Sequence, residues 1–338
     1  MQRGTKANSD RTATKRPRAV TIIGVPMDLG ANRRGVDMGP SAIRVTQVTN
    51  AILGLGIDAV DIGDIDVPIP EEVPPGDSRM KYGREIQRVC DALREAVRNV
   101  MVDERMPIVL GGDHSIAMGS IAGVSDHYAA KGEKIGLIYV DAHGDMNTPS
   151  STSSGNVHGM PLSHILGMWD TEDPPSKNFG KVSSEHSCLV GVRDLDEQEK
   201  RLIKDSRIHV FTMKEIDRYG IAKVMEEVIH VTTDGTAGVH LSFDADALDP
   251  SIAPGVGTPK KGGINYREAH LLMELLADSK KLIGLDFVEV NPILDLRNLT
   301  AELASELILS ALGKSIFYRS IVQVARSETT LRGENHEC

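Results

Sequence analysis

The chain is 338 residues long and carries 38 Lys and Arg against 48 Asp and Glu, a formal net charge of −10. With 40% hydrophobic and 25% charged residues it can bury a sizeable core, and its acidic balance lacks the basic footprint of a nucleic-acid binder. Three well-separated cysteines, Cys90, Cys188 and Cys338, make no disulfide framework and suit a reducing, cytoplasmic setting, and no apolar run reaches the ~18 residues of a membrane span.

Residues 1–18 hold Arg3, Lys6, Arg11, Lys15, Arg16 and Arg18 among Thr, Ser and Asn. A mitochondrial presequence would also be basic, but it needs an apolar helical face, and this stretch has no Leu, Ile or Phe. It reads as a disordered basic tail. Short β-branched runs then predict strands at Ala19–Val25, Ile57–Ile62, Pro107–Leu110, Ile135–Val140, Ser187–Val192, Arg207–Phe211, Gly238–Phe243 and Leu282–Val290. Gly39-Pro40-Ser41 opens a helix, since Pro suits a first helical turn. Between the second and third strands, Ile86, Val89, Cys90, Leu93, Val97, Val100 and Met101 follow the spacing of one helical face. The polar stretch Trp169–Glu185 reads as an excursion between elements. Near-continuous apolar strands alternating with helices imply an α/β chain with a mostly parallel sheet buried on both faces. The periodicity fits an open sheet and a closed eight-stranded barrel equally, and in either one ligands bind at the carboxyl ends of the strands. One catalytic domain over 19–326 is expected, with a polar C-terminal tail over 327–338.

Three strand ends carry chemistry. The third runs into Gly111-Gly112-Asp113-His114-Ser115, the fourth into Asp141-Ala142-His143-Gly144-Asp145, and the seventh into Ser242-Phe243-Asp244-Ala245-Asp246. In extended backbone, residues i, i+2 and i+4 point to one side, so Asp141, His143 and Asp145 can converge, as can Asp244 and Asp246. Taken alone, the first segment reads as a glycine turn followed by a helix cap, the second equally well as a turn with solvated acids, and the third as a pair of loop-capping acids. Together they put His114, Asp141, His143, Asp145, Asp244 and Asp246 on one rim. Like charges that close are unfavourable unless a cation lies between them. Four carboxylates call for about two divalent cations, and an oxygen-rich set without Cys favours Mn²⁺ over Zn²⁺. Two metals ~3.5–4 Å apart would acidify a bridging water, which points to metal-assisted hydrolysis.

These motifs, with Asp-Ala-His-Gly-Asp-Met-Asn at 141–147, Ser-Gly-Asn-Val-His-Gly at 154–159, Gly-Val-Gly-Thr-Pro at 255–259 and Glu-Val-Asn-Pro at 289–292, resemble the arginase branch of the ureohydrolases in order and spacing. Gly144 is typical of that family's bacterial members. The resemblance spans roughly 18–318 and implies a single-domain three-layer α/β/α fold with an open sheet and a homo-oligomer, trimer or hexamer. It also implies hydrolysis of L-arginine to L-ornithine and urea by a hydroxide bridging two Mn²⁺ per subunit.

The resemblance further implies roles for single residues. One metal would take His114, Asp141, Asp145 and Asp244, and its partner His143, Asp141, Asp244 and Asp246. Asp145 would also serve catalysis. Glu289 would orient the guanidinium, and His158 would shuttle a proton to the leaving amine. Asn147, Ser154 and Asn156 would hold the α-carboxylate, Asp196 with Glu199 behind it the α-ammonium, and Thr258 would also face substrate. Asp196 follows a strand and could equally be a helix cap. The departures are Met146, Ala247 and a serine-rich Ser150–Ser154 loop, none a presumed ligand. An agmatinase or other guanidino-compound hydrolase would share every metal ligand but not the Ser154–His158 loop. A non-catalytic homologue would be expected to have lost a ligand or His158.

Overall fold

The computed structural model describes residues 19–169 and 182–317. The two tails, the boundary at 326 and most of the Trp169–Glu185 excursion lie outside the described residues. Eight strands form one sheet: β1 (Ala19–Val25), β2 (Asp58–Asp64), β3 (Met106–Gly111), β4 (Gly136–Val140), β5 (Ser187–Val192), β6 (His209–Thr212), β7 (Val239–Asp244) and β8 (Leu282–Val288). Their order is β2-β1-β3-β8-β7-β4-β5-β6, and every pairing is parallel. With β2 and β6 as free edges, the sheet is open and the barrel alternative falls away.

Helices cover both faces, and the apolar residues divide into two clusters accordingly. One gathers Ile22, Ile108, Val140, Leu241, Phe243 and Leu285 under helices that include Tyr266–Ser279 and Leu299–Ala311. The other packs Ile23, Val109, Tyr139 and Leu189 under Gly83–Val102 and Ala117–Ala129. This division follows from strand alternation, since neighbouring residues such as Ile22 and Ile23 point to opposite faces. Helix Gly83–Val102 buries Ile86, Val89, Cys90, Leu93, Val97, Val100 and Met101, the stripe its spacing predicts. Helix Gly39–Val45 opens with Pro40 in its first turn, again as expected.

Two predicted ends shift for conformational reasons. β6 starts at His209 because Arg207 takes a left-handed conformation (φ 60°) that closes helix Glu197–Ser206. β8 stops at Val288 because Glu289 is itself left-handed (φ 63°). Among the described residues no helix is long and apolar enough to cross a membrane.

The strand order places the chemistry. β3 and β4 follow one another in the chain, yet β8 and β7 lie between them. The four central strands are therefore β3, β8, β7 and β4, and each carboxyl end leads into a motif. Chains leaving such a break in strand order diverge and leave a crevice, where open α/β sheets bind ligands. At the end of β3 the backbone comes so close to the β1 loop that a Cβ on Gly112 would lie 1.8 Å from the Met27 carbonyl oxygen. Only glycine lets Gly112 and Asp113 donate their amides to Val25 and Met27 at 2.8 and 2.7 Å.

Candidate metal centre and substrate rim

Two groups of nitrogen and oxygen donors occupy that crevice. In the first, His114 Nδ1 lies 3.0 Å from Asp141 Oδ2 and 3.1 Å from both Asp145 Oδ2 and Asp244 Oδ2. In the second, His143 Nδ1 lies 3.1 Å from Asp246 Oδ2 and 3.5 Å from Asp141 Oδ1. Asp141 belongs to both groups, whereas Asp244 falls in the first. All six side chains named from the strand ends thus meet. They do not meet by simple alternation along one strand, because β4 ends at Val140 and Asp145 is left-handed (φ 51°). The turn at Asp145 swings its carboxylate to His114 while His143 faces Asp246. A left-handed non-glycine costs roughly 1–2 kcal/mol, and here the Leu162 amide on the Asp145 carbonyl at 3.1 Å holds it.

This donor set fits divalent cations better than protons. One ring nitrogen cannot donate usefully to three carboxylate oxygens, and buried Asp141 Oδ2 accepts no well-formed hydrogen bond. Burial alone would lower the pKa of His114, but Asp141, Asp145 and Asp244 hold it well above its ordinary range. His143 is likewise lowered by burial but driven up to about 12 by Asp246 and Asp141. Burial, then repulsion from Asp246 and Asp141, pushes the Asp244 carboxyl well above the usual carboxylate range. A site that tightens on protons this strongly is short of positive charge. Neutral imidazole nitrogens and carboxylate oxygens are what Mn²⁺-type ions take.

Supporting residues aim the donors. His114 Nε2 lies 3.0 Å from Ser242 Oγ, which turns Nδ1 toward the carboxylates. Tyr139 stacks on the same imidazole at 4.4 Å and donates its hydroxyl to Asp145 Oδ2 at 2.7 Å. Thr258 Oγ1 donates to Asp246 Oδ2 at 2.9 Å, so its hydroxyl braces a donor of the second group. Asp113 accepts from Ser115 N at 3.0 Å, the capping role its motif allows, and from Gly30 N at 2.7 Å. Gly30 in turn accepts from His158 N at 3.1 Å. Of these supporting residues the sequence singled out Asp113, as a cap, and Thr258, as facing substrate. Ser242 and Tyr139, each two residues before an aspartate of the donor groups and facing the same way, could have been found by strand alternation.

Glu289 and His158 form the wall beside this centre. Glu289 Oε1 accepts from His114 N at 3.0 Å and lies 3.0 Å from His158 Nδ1. Oε2 has no hydrogen-bond partner among the described residues. Burial lowers the His158 pKa, but Glu289, then Asp113 and Asp145, raise it to about 9, which favours a proton-bearing imidazole.

The outer residues fall into two sets. Asn147 Nδ2 donates to Asp196 Oδ2 at 2.8 Å. Asp196 also caps helix Glu197–Ser206 through Oδ1 in a reciprocal box with Glu199, so the cap reading of this acid holds. Glu199 is buried behind it, accepting from Asp196 N at 3.1 Å, and burial raises its carboxyl to about 7. Ser154 and Asn156 stand on a separate turn, where Ser154 Oγ accepts from Asn156 N at 3.2 Å. Neither hydrogen-bonds to Asn147 or Asp196.

Comparison with known proteins agrees with this geometry. A family model described as the Arginase family matches residues 18–313. The chain is 49% identical over 302 residues to the arginase of Bacillus caldovelox, covering 88% of this chain and 99% of that one. The native crystal structure of the Bacillus caldovelox arginase superposes with a TM-score of 0.84 at 48% identity, covering 90% of this chain and all of the other. The Entamoeba histolytica arginase, solved in complex with L-ornithine, gives a TM-score of 0.80 at 30% identity over 89% of this chain.

Proposed function

The chain belongs to the arginase family, and from that premise we propose that it hydrolyses L-arginine to L-ornithine and urea with two Mn²⁺ per subunit. The observation that carries this reading is the pair of nitrogen and oxygen donor groups sharing Asp141, beside a buried Glu289 whose Oε2 is free to accept. When bound, the cations supply Lewis acidity and a water acidified toward neutral pH. The chain's own residues then divide the work. Glu289 Oε2 accepts from a guanidinium N–H and fixes the plane of the group to be attacked. Addition of water at the guanidinium carbon and cleavage of its bond to Nε leave an amine that needs a proton. His158, held at Nδ1 by Glu289, is placed to deliver it. Asp196 and Glu199 serve the α-ammonium, and Asn147, Ser154 and Asn156 the α-carboxylate. L-Ornithine bound to the Entamoeba relative supports the product assignment.

We further propose a homo-oligomer, trimer or hexamer, supported by the apolar run Ile293, Leu294, Leu296 and Leu299, all exposed. A cytoplasmic setting is supported by the unpaired buried thiols of Cys90 and Cys188. The test of function is urea release from L-arginine, agmatine and guanidino acids after loading with Mn²⁺, Zn²⁺ or Mg²⁺. Manganese-dependent turnover of L-arginine is expected, and a preference for agmatine would overturn the reading.

Asn156→Ala should lower kcat/KM for L-arginine by about 1.5–3 kcal/mol, the range for hydrogen bonds to charged groups. Agmatine has no carboxylate, so its residual turnover should hardly change. Equal losses on the two substrates would show that the loop supports catalysis generally.

A further inference from the structure

The loop assigned to the α-carboxylate carries a cation that the motifs do not include. Lys81 Nζ lies 3.3 Å from Asn156 Oδ1 and 3.2 Å from Asn32 Oδ1. No carboxylate among the described residues pairs with it, so this charge is met only by two neutral amide oxygens. Its place is firmly set. The Lys81 amide donates to the Gly155 carbonyl at 3.0 Å. Gly155 is left-handed (φ 74°), and a Cβ there would lie 1.9 Å from the Ser78 carbonyl oxygen, so turn 78–81 seats directly on turn 154–156. Lys81 is partly buried and Asn156 partly exposed, which puts the pair on the rim.

The balance of charge on that rim is lopsided. The side toward helix Glu197–Ser206 holds Asp196 and Glu199, which suits an ammonium, and Asp196 already engages the Asn147 amide donor. The separate set on turns 78–81 and 154–156 offers the Ser154 hydroxyl, the Asn156 amide and the Lys81 ammonium. With Lys81 on its Oδ1, the Asn156 side chain is oriented so that Nδ2 is its remaining donor.

Resting on the arginine-hydrolase reading, we infer that Lys81 is a specificity-determining residue that supplies the positive charge matching the substrate's α-carboxylate and orients Asn156 toward it. A charge-assisted contact of this kind is stronger than a neutral one. It acts on ground state and transition state alike, because the carboxylate lies far from the reacting carbon. It therefore affects KM and leaves kcat alone.

The experiment compares the parent with Lys81→Met, Lys81→Gln and Lys81→Arg on L-arginine and on L-argininamide, which lacks the carboxylate charge. Met and Gln should raise KM for L-arginine by about 5–20-fold with kcat within about twofold. Arg should stay near the parent, and L-argininamide should respond little to any of them. Gln keeps a donor for the two amide oxygens without the charge, so restoration by Gln would make Lys81 a brace for the loop and overturn the inference. An equal loss on L-argininamide would do the same. Calorimetric binding of L-ornithine against putrescine, which differ only by the carboxylate, reads the same charge without turnover. Lys81→Met should weaken L-ornithine alone, and unchanged L-ornithine affinity would sink the proposal even if the parent proved to act on another guanidino compound. Urea release by the parent, measured first, tests the function reading separately.

Discussion

Asp141→Ala protein is expected to emerge from Mn²⁺ loading without bound metal and with urea production at most about 10⁻⁴ of the parent's. Asp141 is the one residue common to both donor groups, its Oδ2 beside His114 and its Oδ1 beside His143. Removing it costs each site a ligand at once and leaves too little negative charge for two dications. A metal centre of this kind supplies several kcal/mol of transition-state stabilisation, and about 5.5 kcal/mol corresponds to a factor of 10⁴. Fold stability should move the other way in the metal-free proteins. Asp141 is fully buried with Asp145, Asp244 and Asp246 close by, and burial together with repulsion from Asp141 pushes the Asp145 and Asp244 carboxyls up. Stripped of metal with a chelator, the alanine variant should melt no lower than the stripped parent. Restoring Mn²⁺ should raise the melting temperature of the parent alone, since only a native state that binds metal is stabilised by it. Two retained Mn²⁺ per chain in the variant, by metal analysis, would remove Asp141 from its proposed bridging role.

What could be read from the chain in advance follows from the range of the interactions involved. Strand and helix positions are local properties. Helix Gly83–Val102 buries the seven side chains its spacing names because an apolar stripe every three or four residues has one face to bury. The ends of β6 and β8 shifted where Arg207 and Glu289 adopt left-handed backbone, a conformation that residue type gives no warning of. Strand order is not local. That β8 and β7 insert between β3 and β4 depends on pairings across more than a hundred residues, such as Leu110 with Phe287. The six donors that meet in the crevice were legible all the same, since each lies at or soon after the end of a strand and parallel strands deliver their ends to one edge. Lys81 was not legible, because its meaning comes from turn 154–156, which reaches it only through the fold. Asp113 was visible as a cap, but its hold on Gly30, and through Gly30 on His158, requires the β1 loop to be in place.

His158→Ala should keep both metals and bind L-arginine about as well, yet turn over more slowly by about 10²-fold, within the 10²–10⁴ range of general acid–base catalysis. The side chain makes no hydrogen bond to either donor group. Its partner is Glu289 Oε1 at 3.0 Å, and that oxygen keeps its second contact, the His114 amide at 3.0 Å, when the imidazole is gone. The metal centre is therefore undisturbed, and Glu289 Oε2 remains available to the guanidinium. What is lost is a proton donor poised at the leaving nitrogen. Burial alone would strip the imidazole of its proton, but Glu289 and the more distant Asp113 and Asp145 raise its pKa to about 9. Dications in the neighbouring centre work against these acids, so the loaded enzyme should hold this group below about 9. Deletion of a shuttle leaves a gap that a small molecule can fill, which a purely structural residue does not allow. Added imidazole should therefore restore part of kcat in His158→Ala, and more strongly where more of the added base is protonated. Rescue that ignores the protonation state of the added base, or loss of Mn²⁺ from the variant, would show that His158 holds the site together and does not move protons.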